Sequence, residues 1–172
     1  MVPTRTSSPP GTLHTVSTPV GPVGLFLAAG RLEGIRLPLP PLPGGRESRP
    51  APERLAEAVA AWFAGDEGPL RGFPRRLAGT PFQERIWRAA LAIPRGEVRT
   101  YGGTARAAGL GRGHARAVGA ALRANPLPLV VPCHRVVGAG ERLVGFSGSE
   151  QAGLELKRRL LALEGIKCEM WP

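Results

Sequence analysis

Apolar residues in the first part of the chain come in short runs broken by glycine and proline. In LHTVSTPVGPVGLFLAAGRLEGIRL, residues 13–37, these runs predict a small sheet with strands at Val23 to Ala29 and Arg31 to Leu37, and Ala29 and Gly30 in the turn. The stretch PLPPLPGGRESRPAPE, residues 38–53, predicts a loop, because its prolines fix the backbone and remove hydrogen-bond donors. A helix is predicted from Glu53 to Phe63, where Leu55, Val59, Trp62 and Phe63 recur at helical spacing and Gly65 supplies a stop. Residues 66–80 read as an irregular connection, and the Pro/Ser/Thr-rich residues 1–11 as disordered.

From Thr80 onward the pattern becomes helical. Thr80 is placed to cap a helix that has Pro81 at its first position; Phe82, Ile86 and Ala89 share one face, with Trp87 and Ala90 beside it, and IPRG terminates it. Thr100 can cap YGGTARAAGL, and after GRG the residues His114 to Arg123 can form a second helix, a pattern that looks like a helix-turn-helix. The Ala/Gly-rich faces of GHARAVGAAL allow close backbone approach, so groove insertion and plain packing compete as explanations. In NPLPLVVPCHRVV, Pro126, Pro128 and Pro132 exclude a regular helix and predict an extended, buried path that holds Cys133 on a stiff segment. The last predicted helix, Gln151 to Leu163, places Leu154, Leu160 and Leu161 on an apolar side and Lys157 and Arg158 outward, with residues 168–172 as a tail. The fold class is therefore α+β, with a structural unit over residues 1–78 and a helical unit over 79–167.

Composition sharpens this picture. The 172 residues suffice for one ordinary core or two small ones. The 24 glycines and 19 prolines follow no short period and accompany a hydrophobic fraction of 42%, which favours a folded chain over low complexity. Twenty-one arginines and two lysines face 13 acidic residues, a formal charge of +10 that suits a polyanionic partner. Residues 1–80 contribute +3 and residues 81–167 contribute +8, so nucleic acid is expected on the second half. Two cysteines form no disulfide framework, and the absence of CxxC and HExxH gives no metal-ligand spacing; a reducing cytoplasm and no metal are expected. No signal-peptide pattern and no run of 18 apolar residues argues for secretion or membrane spanning.

The candidate chemistry gathers at Cys133. A lone cysteine is most often a small buried hydrophobe, but here His134 and Arg135 follow it on a proline-stiffened segment. An imidazole can take a thiol proton directly or through water, and a carboxylate beyond it can hold the tautomer and stabilise the charged ring. On a strand the side chains of Cys133 and His134 would point to opposite faces unless the backbone turns. Glu141, Glu150, Glu155 and Glu164 are all available as the carboxylate.

PCHRV at 132–136, preceded by RAVGAALRANPLP at 116–128, resembles the active-site region of the O6-alkylguanine-DNA alkyltransferases. GTPFQERIW at 79–87, IPRGEVRTYGGTA at 93–105, GFSG at 145–148 and KRRLLALEG at 157–165 extend the resemblance over residues 79–165, with TPVGPVG and WFAG continuing it weakly toward the N-terminus. The resemblance implies a small ribonuclease H-like N-terminal domain with a short antiparallel sheet, followed by a helical domain that carries the helix-turn-helix and the active-site cysteine. It implies direct-reversal repair: a damaged guanine is flipped out of duplex DNA and its alkyl group passes irreversibly to Cys133, once per molecule and without a cofactor. In that scheme His134 relays the Cys133 proton and Glu164 orients His134. Tyr101 assists departure of the guanine and, as a DNA contact, crowds the target phosphate during flipping; Asn125 holds the turn before the cysteine segment, and Arg116 fills the gap left by the base. Val136, Val137, Pro132, Ser147 and Gly148 form the alkyl pocket or its lid. The helix over 114–123, with His114, Ala115 and Gly119 on its small face, lies in the minor groove, and Arg112, Arg123 and Arg135 add backbone contacts or local structural bonds. The implied partner is double-stranded DNA carrying O6-alkylguanine, with O4-alkylthymine as a further candidate lesion, bound by a monomer in the bacterial cytoplasm or nucleoid.

Gly113 and His114 stand where relatives show a Pro-containing turn, and Ser149 replaces a Gly-like position, so the approach to the second helix and the breadth of the pocket depart from the family pattern. Two rival functions remain at this level. A non-catalytic alkyltransferase-like lesion sensor usually lacks the reactive cysteine, and a helix-turn-helix transcription factor leaves PCHRV unexplained.

Overall fold

The computed structural model describes residues 10–38, 48–144 and 150–167, so the expectations for residues 1–9 and 168–172 lie outside the described residues. The described residues separate into two compact units, one holding those from 10 to 77 together with 126–130, the other holding Ala78–Asn125 and those from 131 to 167.

The first unit is built on a four-stranded sheet of β1 (Thr12–Val16), β2 (Val23–Ala28), β3 (Arg31–Arg36) and β4 (Arg49–Pro50), in the order β3-β2-β1-β4. Strands β1–β2 and β2–β3 pair antiparallel. Ala29 and Gly30, at φ 48 and 71, make the two-residue left-handed turn that matches the twist of the flanking strands. The proline-rich stretch read as a loop nevertheless supplies β4, which pairs parallel to β1 and makes the sheet mixed rather than purely antiparallel. Pro50 is tolerated because β4 is an edge strand. Helix α1 (Glu53–Ala64) buries Leu55, Ala58, Val59 and Trp62 and ends at Gly65, whose φ of 110 is the left-handed stop expected there.

The connection over 66–80 is not wholly irregular, as it contains a short helix, α2 (Gly68–Gly72). Asp66 accepts from the Gly68 N–H at 2.9 Å, Pro69 stands in the first turn, and Leu70 is fully buried. The Gly/Pro-rich composition hid a short helix that buries Leu70.

In the second unit, α3 (Pro81–Leu91) starts on a reciprocal cap: Thr80 Oγ1 accepts from the Gln83 N–H at 3.2 Å, and Gln83 Oε1 accepts from the Thr80 N–H at 2.9 Å. Replacing Thr80 by Ala is expected to cost about 1 kcal/mol and to lower Tm by about 3 °C in thermal unfolding. The α3 residues Ile86, Trp87, Ala89 and Ala90 are buried, and Trp87 Nε1 donates to Ala121 O at 2.9 Å, tying α3 to α5 (Ala115–Arg123). Before α5 come α4 (Tyr101–Ala107), capped by Thr100 through the Gly103 N–H, and a single 3-10 turn at Arg112–His114. Strand β5 (Arg99–Thr100) runs directly into α4 and pairs parallel with β6 (Val136–Val137). This two-residue pairing sets the start of α4 beside the chain that follows the cysteine.

The last helix, α6 (Glu150–Leu163), buries Leu156, Leu160 and Leu161, and Leu161 packs in a cluster with Leu143, Val98, Leu154 and Ile166. Lys157, expected outward with Arg158, is instead completely buried, whereas Arg158 is exposed. Spacing explains the difference. Lys157 stands three residues after Leu154 and four before Leu161, on the apolar stripe itself.

Candidate active site

The backbone turns sharply at the cysteine. Pro132, at φ −78 and ψ 66, is the centre of an inverse γ-turn closed by Cys133 N–H to Val131 O at 2.7 Å. One 3-10 turn over Cys133–Arg135 follows, held by Arg135 N–H to Pro132 O at 3.0 Å. The opposite-face problem of a strand therefore does not arise. Cys133 is half-buried between fully covered neighbours, Pro132 before it and His134 after it. Asn125 is buried and its Nδ2 donates twice, to Val131 O at 3.0 Å and to Cys133 Sγ at 3.3 Å. It ties the start of the turn to its end and aims a hydrogen-bond donor at the sulfur, which favours the charged thiolate over the thiol.

Of the four candidate carboxylates, the fold brings Glu164 to His134. His134 Nε2 lies 2.8 Å from Glu164 Oε1, and both side chains are shielded from solvent. Glu164 follows α6 and reaches this place because it continues the buried stripe of Lys157, Leu160 and Leu161. It accepts further bonds from Arg135 Nε on Oε2 at 2.8 Å, from Arg135 Nη2 on Oε1 at 2.9 Å, and from the Gly96 N–H on Oε2 at 3.4 Å. Gly96 has φ 81, a left-handed backbone that L side chains rarely adopt. Burial alone would raise the Glu164 carboxyl, but the hydrogen bonds from His134 and Arg135 prevail and hold it down to about 2. Burial lowers the His134 imidazole below its ordinary value against the pull of Glu164, so the ring is neutral at neutral pH.

Tyr101 opens α4 and donates its hydroxyl to Val144 O at 3.1 Å. Burial, reinforced by the charge of an ionised Cys133 and opposed by Arg123, pushes its phenol up to about 12. It is a proton donor throughout the physiological range. Lys157 was missed as a site residue. Its Nζ donates to Val136 O at 2.6 Å and to the same Val144 O at 3.1 Å, and lies 5.8 Å from the centre of the Tyr101 ring. Burial pushes its ammonium down to about 8, while the Cys133 charge pulls it up. Lys157 thus straps β6 to the chain at Val144 and fixes the carbonyl on which Tyr101 rests. Its place on the apolar stripe was the available sequence signal.

Along α5, Arg116 and Arg123 are exposed and Ala115 and Gly119 are half-exposed, while Val118, Ala121 and Leu122 are buried. A Cβ on Gly119 would sit 3.6 Å from the Tyr101 ring, so this small position packs beside the phenol. His114 is exposed and its Nδ1 lies 3.0 Å from Gly111 O, within the 3-10 turn that leads into α5. Arg135 corrects an expectation. Read from sequence as adding either DNA backbone contacts or local structural bonds, it is completely buried and bonded to Glu164 and to Ile93 O at 2.8 Å, so the DNA contact is withdrawn and the local structural bonds stand. Val136 and Val137 are fully buried beside β5, whereas Ser147, Gly148 and Ser149 lie outside the described residues. Among the described residues no helix is long and apolar enough to cross a membrane, and no group of three or more His, Cys, Asp and Glu is placed to hold a metal ion.

A small α+β chain with a half-exposed thiol, an amide donor on the sulfur and a buried imidazole–carboxylate pair behind it defines a protein that uses cysteine as a nucleophile. Comparison with known proteins gives this class its particular family. Residues 81–166 match the family model for the 6-O-methylguanine DNA methyltransferase DNA-binding domain. The chain is 43% identical over 152 residues to the methylated-DNA–protein-cysteine methyltransferase of Mycolicibacterium paratuberculosis, covering 83% of this chain and 87% of that protein. It also resembles the crystal structure of Mycobacterium tuberculosis O6-methylguanine methyltransferase, with a TM-score of 0.71, 38% identity, and 89% and 92% of the two chains covered. Mycobacterium tuberculosis OGT in complex with DNA gives a TM-score of 0.72 at 36% identity, covering 90% and 93%. The chain belongs to the methylated-DNA–protein-cysteine methyltransferase family.

Proposed function

We propose that this protein repairs alkylated DNA by direct reversal, moving the alkyl group from O6 of guanine to Cys133. The single observation that carries the site assignment is the half-exposed Cys133 on its sharp turn, backed by the buried His134–Glu164 pair. His134 takes the thiol proton, directly or through water, with Glu164 steadying the resulting imidazolium. The Cys133 thiolate attacks the carbon attached to O6, an S–C bond forms, and the C–O bond breaks with its electron pair going to guanine. A proton delivered to the base restores guanine and balances the one taken from the thiol. The thioether has no route back to a thiol, so each molecule acts once.

The lesion, on this reading, leaves the base stack to reach the thiol. In this reading α4 and α5 form a helix-turn-helix and α5 lies along the minor groove, with Arg116 filling the vacated position and Arg123 near backbone phosphates. His114 adds a phosphate contact at the start of α5. Val136, Val137 and Pro132 border the pocket; residues 79–167 form the working domain and residues 1–78 a ribonuclease H-like support. The protein acts as a monomer on duplex DNA in the bacterial cytoplasm.

Tyr101 is read as the hydrogen-bond donor to the departing base. Tyr101→Phe is expected to slow transfer about 10²-fold in single-turnover assays while leaving lesion binding nearly unchanged, since only the hydroxyl is lost. The function is tested by incubating the protein with duplexes carrying O6-methylguanine or O4-methylthymine, followed by intact-mass and peptide analysis. The expected result is one adduct of about 14 Da on Cys133 from the guanine duplex. Saturable binding with no adduct would make the protein a lesion sensor, and an adduct on Cys168 would overturn the site.

A further inference from the structure

Arg135 follows the reacting pair, carries a permanent charge, and is sealed from solvent. Its guanidinium meets both oxygens of Glu164, at 2.8 and 2.9 Å, and its third nitrogen donates to Ile93 O at 2.8 Å. His134 Nε2 shares Glu164 Oε1 at 2.8 Å. One buried carboxylate is therefore divided between a fixed cation and a titratable ring.

We propose that Arg135 is a positioning residue for alkyl transfer: its fixed charge neutralises Glu164, so that His134 stays neutral and ready to accept the Cys133 proton. The proposal rests on the reading of His134 as the base. A buried carboxylate without a counter-charge draws a proton onto a neighbouring imidazole, because an ion pair is less costly than a lone buried charge. Arg135 already supplies that counter-charge, and a second cation beside it is repelled. The direction of the His134 shift agrees, with burial as its first cause, Glu164 opposing, and Arg135 and Lys157 adding repulsion. The charged and titratable groups around the ring are Glu164 and Lys157 from the α6 segment and Cys133 and Arg135 from its own turn. Arg95 stands at the same end of α6, its Nη2 3.2 Å from Leu163 O. The fork of Arg135 also holds the carboxylate in one orientation, which a lysine ammonium could not do.

The test reads the thiol itself: the rate of Cys133 alkylation by iodoacetamide against pH, without DNA, in the wild type, His134→Ala, Arg135→Met and Arg135→Lys. Arg135→Met is expected to move the inflection of the acid limb to higher pH by about one unit. Arg135→Lys keeps the charge and should keep the limb in place, with a lower plateau. If Arg135→Met does not fold, Glu164→Gln is compared with the Arg135→Met/Glu164→Gln double variant, in which the two buried charges are removed together. The limb of the double variant should lie at higher pH than that of Glu164→Gln. Coincident acid limbs in the pair compared, with rates merely scaled, would overturn the proposal and leave a structural role for Arg135. A His134→Ala profile identical to the wild type would instead overturn the reading of His134 as the base, and the proposal with it.

Discussion

Cys133→Ser is expected to bind duplex DNA containing O6-methylguanine with affinity within a factor of about 2 of the wild type, because phosphate and groove contacts do not involve the sulfur. It is expected to give no adduct by intact mass. Serine keeps the size and the turn, and its hydroxyl can still accept from Asn125 Nδ2, which in the native protein lies 3.3 Å from the sulfur. The pair behind it is tuned for a thiol: a neutral imidazole can take a proton from a group that ionises near 8.5, and cannot populate an alkoxide. The softness of sulfur toward an alkyl carbon is lost as well. Gel-shift titration and mass spectrometry on one preparation separate the two effects. A methylated Cys133→Ser protein would remove the thiol from the mechanism.

Glu164→Gln is expected to carry the largest stability effect. The glutamine keeps the shape but leaves the Arg135 charge buried without its counter-charge, which costs about 3–5 kcal/mol. It should also slow transfer about 10²–10⁴-fold, since the ring loses the partner that fixes its tautomer and steadies its charge. The same carboxylate sets an acid limit. Its pKa is about 2 in the folded chain against 4.5 ordinarily, so its contribution is complete above about 4.5 and is lost as pH falls toward 2. That contribution is on the order of 3 kcal/mol, and both oxygens are fully shielded. His134 acts in the same direction at milder pH: its folded value lies below 6.5, so stability begins to fall once the unfolded chain can protonate its histidine. Urea titrations from pH 7 to pH 2 should show two losses in the wild type, with the lower one missing in Glu164→Gln. A single loss shared by both proteins would show that Glu164 is not held ionised by its partners.

Much of the local architecture is legible because it depends on neighbours in sequence. Thr80 and Thr100 cap the helices they were expected to cap, Gly65 stops α1, and Ala29-Gly30 turns the hairpin, since each of these is settled within a few residues. The misreadings share a different cause. Pro50 enters β4 only because β1 has an open edge to pair with, and α2 forms around the burial of Leu70. Lys157 was placed on the outward face of its helix and Arg135 was left between DNA contacts and local structural bonds, yet both are enclosed by partners far away in the chain: Val136 and Val144 for the lysine, Glu164 and Ile93 for the arginine.

By itself the sequence determined the candidate thiol, the histidine beside it, the proline-stiffened path to both and the family they resemble, because identity and adjacency are written in the chain. Only the tertiary structure decided that the backbone turns at Pro132 and not along a strand, that Asn125 points at the sulfur, and that Arg135 shares the carboxylate which the resemblance had already assigned to His134. These are distances between groups up to 30 residues apart, and a buried charge finds its partner through packing, not through spacing.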